Sequence, residues 1–121
     1  MRVLVAEDDR VISHLVCSLL RGRGFTPVQA VDAMQALMLA KRPPVPDVII
    51  LDLNMPGGNG VETLKRLKTA SMTSLIPVVV LSGDESAAQT VLDLGAAAFL
   101  PKPVVAETLF AAIAEALGTS A

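Results

Sequence analysis

Four short apolar runs in this chain each stop at a residue that carries chemistry. Val48-Ile49-Ile50-Leu51 stops at Asp52, and Val3-Leu4-Val5-Ala6 stops at Glu7-Asp8-Asp9. Val78-Val79-Val80-Leu81 stops at Ser82, and Phe99-Leu100-Pro101 stops at Lys102. Such runs, bounded by polar residues, predict strands buried on both faces, as in a parallel sheet. All strand C-termini of a parallel sheet share one edge. The four stops would then converge, placing acids, a hydroxyl and an amine around Asp52.

The segments between the runs have helical character. Val11, Ile12, Leu15, Val16, Leu19 and Leu20 form an i, i+4 stripe, with Gly24 as a stop and Phe25 folding back. A strand over about 25–30 is interrupted by Pro27, which predicts a sheet edge. The second helix, about 33–41, ends before Pro43-Pro44 and places Met34 and Met38 on one core-directed face. After the strand at 48–52, Asn54-Met55-Pro56-Gly57-Gly58-Asn59-Gly60 is a loop of turn formers. The third helix sends Val61, Leu64 and Leu67 inward, and Lys65, Arg66 and Lys68 outward. A strand at 78–82, a helix at about 85–94 ending at Gly95 and a strand at about 98–100 follow. The last helix, about 104–117, aligns Leu109, Ile113 and Leu117.

This alternation predicts an α/β fold, a doubly wound five-stranded parallel sheet of flavodoxin-like (βα)5 type. With the Pro27 strand at an edge, the natural order is 2-1-3-4-5, and residues 1–121 read as one domain. The third and fifth strands would lie about 10 Å apart, a gap that an extended lysine and an aspartate can close.

Composition narrows the function. A length of 121 residues suits one domain, and the apolar bulk comes from Ala, Val and Leu, with three Phe and no Tyr or Trp. No apolar stretch is long enough to span a bilayer. The N-terminal run meets Glu7-Asp8-Asp9 too soon to read as a signal peptide. Cys17 is the only cysteine, so no internal disulfide can form and a cytoplasmic setting is expected. Net charge is −2 and no basic run exceeds two residues, as at Lys65-Arg66, which argues against nucleic-acid binding by this chain.

Two carboxylates about 4 Å apart near a protein surface repel by roughly 4 kcal/mol. Gathering Glu7, Asp8 and Asp52 therefore requires a proton or a cation. Without His or Cys nearby, the donors suit a hard ion such as Mg²⁺ better than zinc. Asp9 reads as the cap of the first helix. A carboxylate beside Mg²⁺ and a lysine can attack a phosphoryl group, with Ser82 and Lys102 meeting its oxygens.

The residues now described resemble those of response-regulator receiver domains of two-component signalling, over essentially the whole chain. Val5-Ala6-Glu7-Asp8-Asp9, Leu51-Asp52-Leu53-Asn54-Met55-Pro56 with Gly60, Val80-Leu81-Ser82-Gly83 and Phe99-Leu100-Pro101-Lys102-Pro103 carry the resemblance. It implies that Asp52 is the phosphoacceptor. Mg²⁺ would be held by Asp8, Asp52 and the Asn54 carbonyl, with Glu7 acting through water. Ser82 and Phe99 would be switch residues, Lys102 would bind phosphate, and the Lys102–Pro103 bond would be cis. Phe99 lacks a hydroxyl, so a Tyr-type switch hydrogen bond is excluded.

The same resemblance implies a sensor histidine kinase or histidine phosphotransfer protein as donor. It also implies a downstream output domain or protein, reached through the fourth helix, fifth strand and fifth helix. A homodimer through the fourth and fifth helices would use part of that surface. Self-catalysed transfer and autodephosphorylation, rather than turnover of a substrate, are the expected chemistry. An aspartate-nucleophile phosphohydrolase would carry a second acid where Asn54 stands, and a nucleotide site would need a Gly-rich turn after the first strand. A degenerate docking module would lack key residues, and here all are present. His14 reads as a partly exposed packing residue, Cys17 as a buried apolar one and Met55 as a shield beside Asp52.

Overall fold

The buried runs become strands because every alternate side chain finds a helix on its own side of the sheet. In this computed structural model, which describes residues 1–57 and 59–118, the strands are β1 (Arg2–Ala6), β2 (Thr26–Ala30), β3 (Val48–Asp52), β4 (Val78–Ser82) and β5 (Ala98–Pro101). All pairings are parallel, in the order β2-β1-β3-β4-β5. This is the expected order, with the Pro27 strand at an edge. The helices are α1 (Arg10–Gly22), α2 (Ala33–Lys41), α3 (Gly60–Thr69), α4 (Ala88–Asp93) and α5 (Ala106–Ala116).

The sheet divides the core in two. Leu4, Ile49, Leu51, Val78 and Val80 face α2, α3 and α4, where Ala36, Ala40, Leu64, Leu67 and Val91 meet them. Val3, Val5, Ile50, Val79 and Leu81 face α1 and α5, against Val16, Cys17, Leu20, Leu109 and Ile113. The register then sets the functional edge. Ala6 pairs with Leu51, so Glu7 comes level with Asp52, while Ser82 pairs with Pro101 and Lys102 stands one residue beyond.

Helix ends follow their sequence signals. The Asp9 carboxylate accepts from the N–H groups of Val11 and Ile12, and Gly24 takes φ 85° just past the end of α1. Asp32 and Asn59 cap α2 and α3 in the same way.

Several expectations about helix faces are corrected. Met34 and Met38 are exposed at 70% and 59%, because α2 rests on Ala33, Ala36 and Ala40 instead. Small side chains let that helix lie close to the sheet and turn the methionines outward. On α1, Val11 and Leu15 face solvent, and the buried stripe runs through Ser13, Val16, Cys17 and Leu20. Lys68 does not point freely outward: its Nζ donates to the Ile76 carbonyl at 3.0 Å. Burial there holds the ammonium below its usual range. The fourth helical segment opens as a 3-10 turn over Glu85–Ala87, started by Asp84, before α4 begins. The last helix starts at Ala106 and ends at Ala116, leaving Leu117 as its C-terminal cap. Gly58 in the loop and residues 119–121 lie outside the described residues.

Candidate functional site

Past the strand ends, backbone bonds continue the sheet for one more step and fix the side chains there. Glu7 N–H donates to Ala30, Leu53 N–H to Leu81 and Lys102 N–H to Ser82, at 3.0, 3.2 and 3.0 Å. Asp52 and Glu7 are both 1% exposed, whereas Asp8 is open to solvent. Glu7, Asp8 and Asp52 each offer a carboxylate oxygen, and those atoms lie within 4.8 Å of one another. The Asn54 N–H donates to Asp52 Oδ1 at 3.1 Å, holding the loop after β3 against that carboxylate.

Lys102 enters this group from β5. Its Nζ lies 2.9 Å from Glu7 Oε1 and 3.2 Å from Asp52 Oδ1. The contact with Glu7 is the shorter of the two, and the carboxylate it meets is buried. Burial, then the neighbouring Asp52, push Glu7 from 4.5 up to about 7, against the pull of Lys102. Burial draws the Lys102 ammonium down, but Glu7 and Asp52 outweigh it and hold it above its usual range. The pairing of Lys102 with Glu7 was not foreseen from the sequence. Its only signal was the register, which puts Glu7 beside Asp52 at the same sheet edge.

Ser82 is 1% exposed, and its Oγ accepts the Asp84 N–H at 3.0 Å. Asp84 in turn is held below the usual carboxylate range by the Ser86 hydroxyl and N–H. Phe99 is half-buried against the α2–α3–α4 side of the core. The Lys102–Pro103 peptide is cis, and so is Pro43–Pro44, which the sequence reading had not anticipated. Met55 is buried in the same core layer. A cleft of about 280 Å³ opens beside the acids, between Glu7, Asp8, Arg10 and His14. His14 is exposed on its wall.

Gly60 completes the local construction. A Cβ there would lie 2.1 Å from the Leu53 carbonyl oxygen and 2.4 Å from its α-carbon. Only glycine lets α3 start this close to the loop that follows Asp52.

Three carboxylates with oxygens within 4.8 Å of one another could hold a hard cation, and a lysine and a hydroxyl stand at the ends of the adjoining strands. Such an edge on a doubly wound sheet defines a signalling domain of receiver type. The chain belongs to the response regulator receiver domain family, whose model matches residues 3–114. It is 41% identical over 114 residues to the phosphate regulon transcriptional regulatory protein PhoB of Escherichia coli K12, across 93% of this chain and 49% of that protein. Similarity to the transcriptional regulatory protein CpxR of the same organism is 38% over 104 residues, across 84% of this chain and 43% of that one. The chain thus spans about half the length of these regulators or less. Among solved structures, a putative response regulator from Chloroflexus aurantiacus superposes with a TM-score of 0.91 at 28% identity, covering 97% of both chains. The chemotaxis response regulator CheY4 of Vibrio cholerae gives 0.87 at 31% identity, covering 96% of this chain and 98% of that one. No helix among the described residues is long and apolar enough to cross a membrane.

Proposed function

We propose that residues 1–121 form one receiver unit in which Asp52 accepts a phosphoryl group from a phosphohistidine on a sensor kinase or phosphotransfer protein. The observation that carries this reading is the convergence of Lys102 on Glu7 and Asp52, with Asp8 at the open side. As a carboxylate oxygen of Asp52 bonds to phosphorus, the P–N bond breaks. The imidazole keeps the electron pair and later takes a proton from solvent.

Mg²⁺ fits the site, because its donors are hard oxygens and three carboxylates bring theirs within 4.8 Å of one another. Asp8, Asp52 and the Asn54 carbonyl would hold it, with Glu7 reached through water. When bound, the ion supplies positive charge that offsets repulsion between the carboxylates and the incoming phosphoryl group. Lys102 then has a second anion to serve and moves from Glu7 to a phosphoryl oxygen. The Ser82 hydroxyl donates to another and, by turning toward it, shifts the Asp84 N–H that it accepts. That shift alters the loop before α4 and lets the Phe99 ring rotate.

Through these moves, phosphorylation biases the surface of α4, β5 and α5, which an output domain or partner reads and through which two copies can pair. The domain acts in the cytoplasm, transfers phosphate only to itself and releases it by autodephosphorylation.

Incubation with Mg²⁺ and acetyl phosphate, followed by intact-mass measurement, tests the proposal. One added phosphoryl group that disappears in Asp52→Asn is expected. An unmodified protein with every phosphodonor, or a modified Asp52→Asn, would overturn it.

A further inference from the structure

The edge of the sheet opposite Asp52 carries a second concavity. A cavity of about 280 Å³ lies where α2 ends and β1 begins, floored by Leu4, Val28 and Leu39. Pro43, Pro44 and Pro46 form its wall, a rigid surface with no N–H groups to satisfy. Two cations, Arg2 and Arg42, line it, and no carboxylate does. Neither guanidinium has an ion pair among the described residues. The neighbouring acid, Asp47, already accepts the Arg2 backbone N–H at 2.8 Å.

An apolar lining with two arginines that make no ion pair among the described residues has a defined complement. Arginine forks match carboxylate and phosphate oxygens in pairs, and a planar or branched body covers the aliphatic floor. The volume is just below that of pockets for drug-sized molecules, which limits the body to about one ring. We propose that this cavity binds a small amphipathic anion, its head held by Arg2 and Arg42 and its apolar body against Leu4, Val28 and Leu39. The site is independent of the Asp52 chemistry and lies at the other end of the strands.

Titration of the ¹⁵N-labelled protein without Mg²⁺ tests this by amide shifts, using phenylacetate, phenyl phosphate and the neutral 2-phenylethanol. Saturable shifts at Leu4, Val28 and Arg42 are expected with at least one anion, and the tighter of the two identifies the preferred head. Binding of the alcohol should be weaker by roughly tenfold or more. Arg2→Gln and Arg42→Gln should each weaken anion binding several-fold while leaving the rest of the spectrum in place. Their backbone contacts, including Arg2 N–H to Asp47, survive the change. Absence of saturable shifts, shifts confined to the Asp52 edge, equal binding of the alcohol, or unchanged affinity in both variants would overturn the proposal.

Discussion

Gly60 lies so close to Leu53 that one added methyl group would penetrate the Leu53 backbone, 2.1 Å from its carbonyl oxygen. In an ordinary helix interior, Gly→Ala stabilises by about 0.5–1 kcal/mol. Here the sign reverses. Gly60→Ala should cost about 1–3 kcal/mol by overpacking, measured by urea unfolding. It should also slow acetyl-phosphate labelling of Asp52, because α3 must back away from the loop that positions it. A stabilised Gly60→Ala variant would contradict the close approach.

The raised Glu7 makes the metal-free domain sensitive to pH. With a folded value of about 7 against 4.5, its contribution to stability is fully present below about pH 4.5 and is lost as pH rises through 7. The change should be on the order of 2 kcal/mol and should flatten in Glu7→Gln, read from chemical denaturation between pH 5 and 8. Lys102, held above its usual range, stays charged throughout that window. Saturating Mg²⁺ should abolish the slope or reverse it, since a bound cation favours ionised Glu7.

Lys102 is the cation that holds two buried carboxylates together when no metal is bound. Lys102→Ala should therefore destabilise the metal-free protein by about 2–4 kcal/mol, because Glu7 and Asp52 are left facing each other. Mg²⁺ should raise the melting temperature of this variant more than that of the wild type. Equal shifts in the two proteins would show that lysine and metal do not share the same charges.

Two adjacent aspartates should separate cleanly. Asp9→Ala removes the acceptor for the Val11 and Ile12 N–H groups and should cost about 1 kcal/mol without changing Mg²⁺ affinity. Asp8→Ala should leave stability unchanged or raised while Mg²⁺ affinity falls at least tenfold, followed by calorimetric titration. The reverse pattern would exchange their roles.

On α2, Met34→Gln with Met38→Gln should change stability by no more than about 0.5 kcal/mol, since both side chains are exposed. Ala36→Leu should cost about 1–3 kcal/mol, because Ala36 is fully buried against the sheet. Thermal or urea melts distinguish the two.

These outcomes trace what a sequence makes legible. Buried runs such as Val48–Leu51 announce central strands, because both faces must be apolar, and Pro27 announces an edge. The residues ending those runs therefore share one sheet edge, as parallel pairing requires. Helix faces were less legible. Met34 and Met38 are large apolar side chains on α2, yet Ala33, Ala36 and Ala40 are the ones it buries, with Leu37 and Leu39 packed beside them. The Lys102–Glu7 contact was hidden for a different reason: it joins residues at the two ends of the chain, and only strand register brings them level. The 3-10 turn at Glu85–Ala87 depends on Asp84 capping Ser86, a local choice that apolar periodicity does not record.

Lys102 directly follows the last strand, while the acids it meets follow the first, at Glu7, and end the third, at Asp52. During synthesis the negative charges emerge first, and their compensating ammonium follows only after the last strand of the sheet. A partly built sheet thus carries an unbalanced anionic edge that resists tight closure. Delivery of β5 and Lys102 removes that imbalance, so the cluster at this edge favours completion of the sheet over its partly built forms.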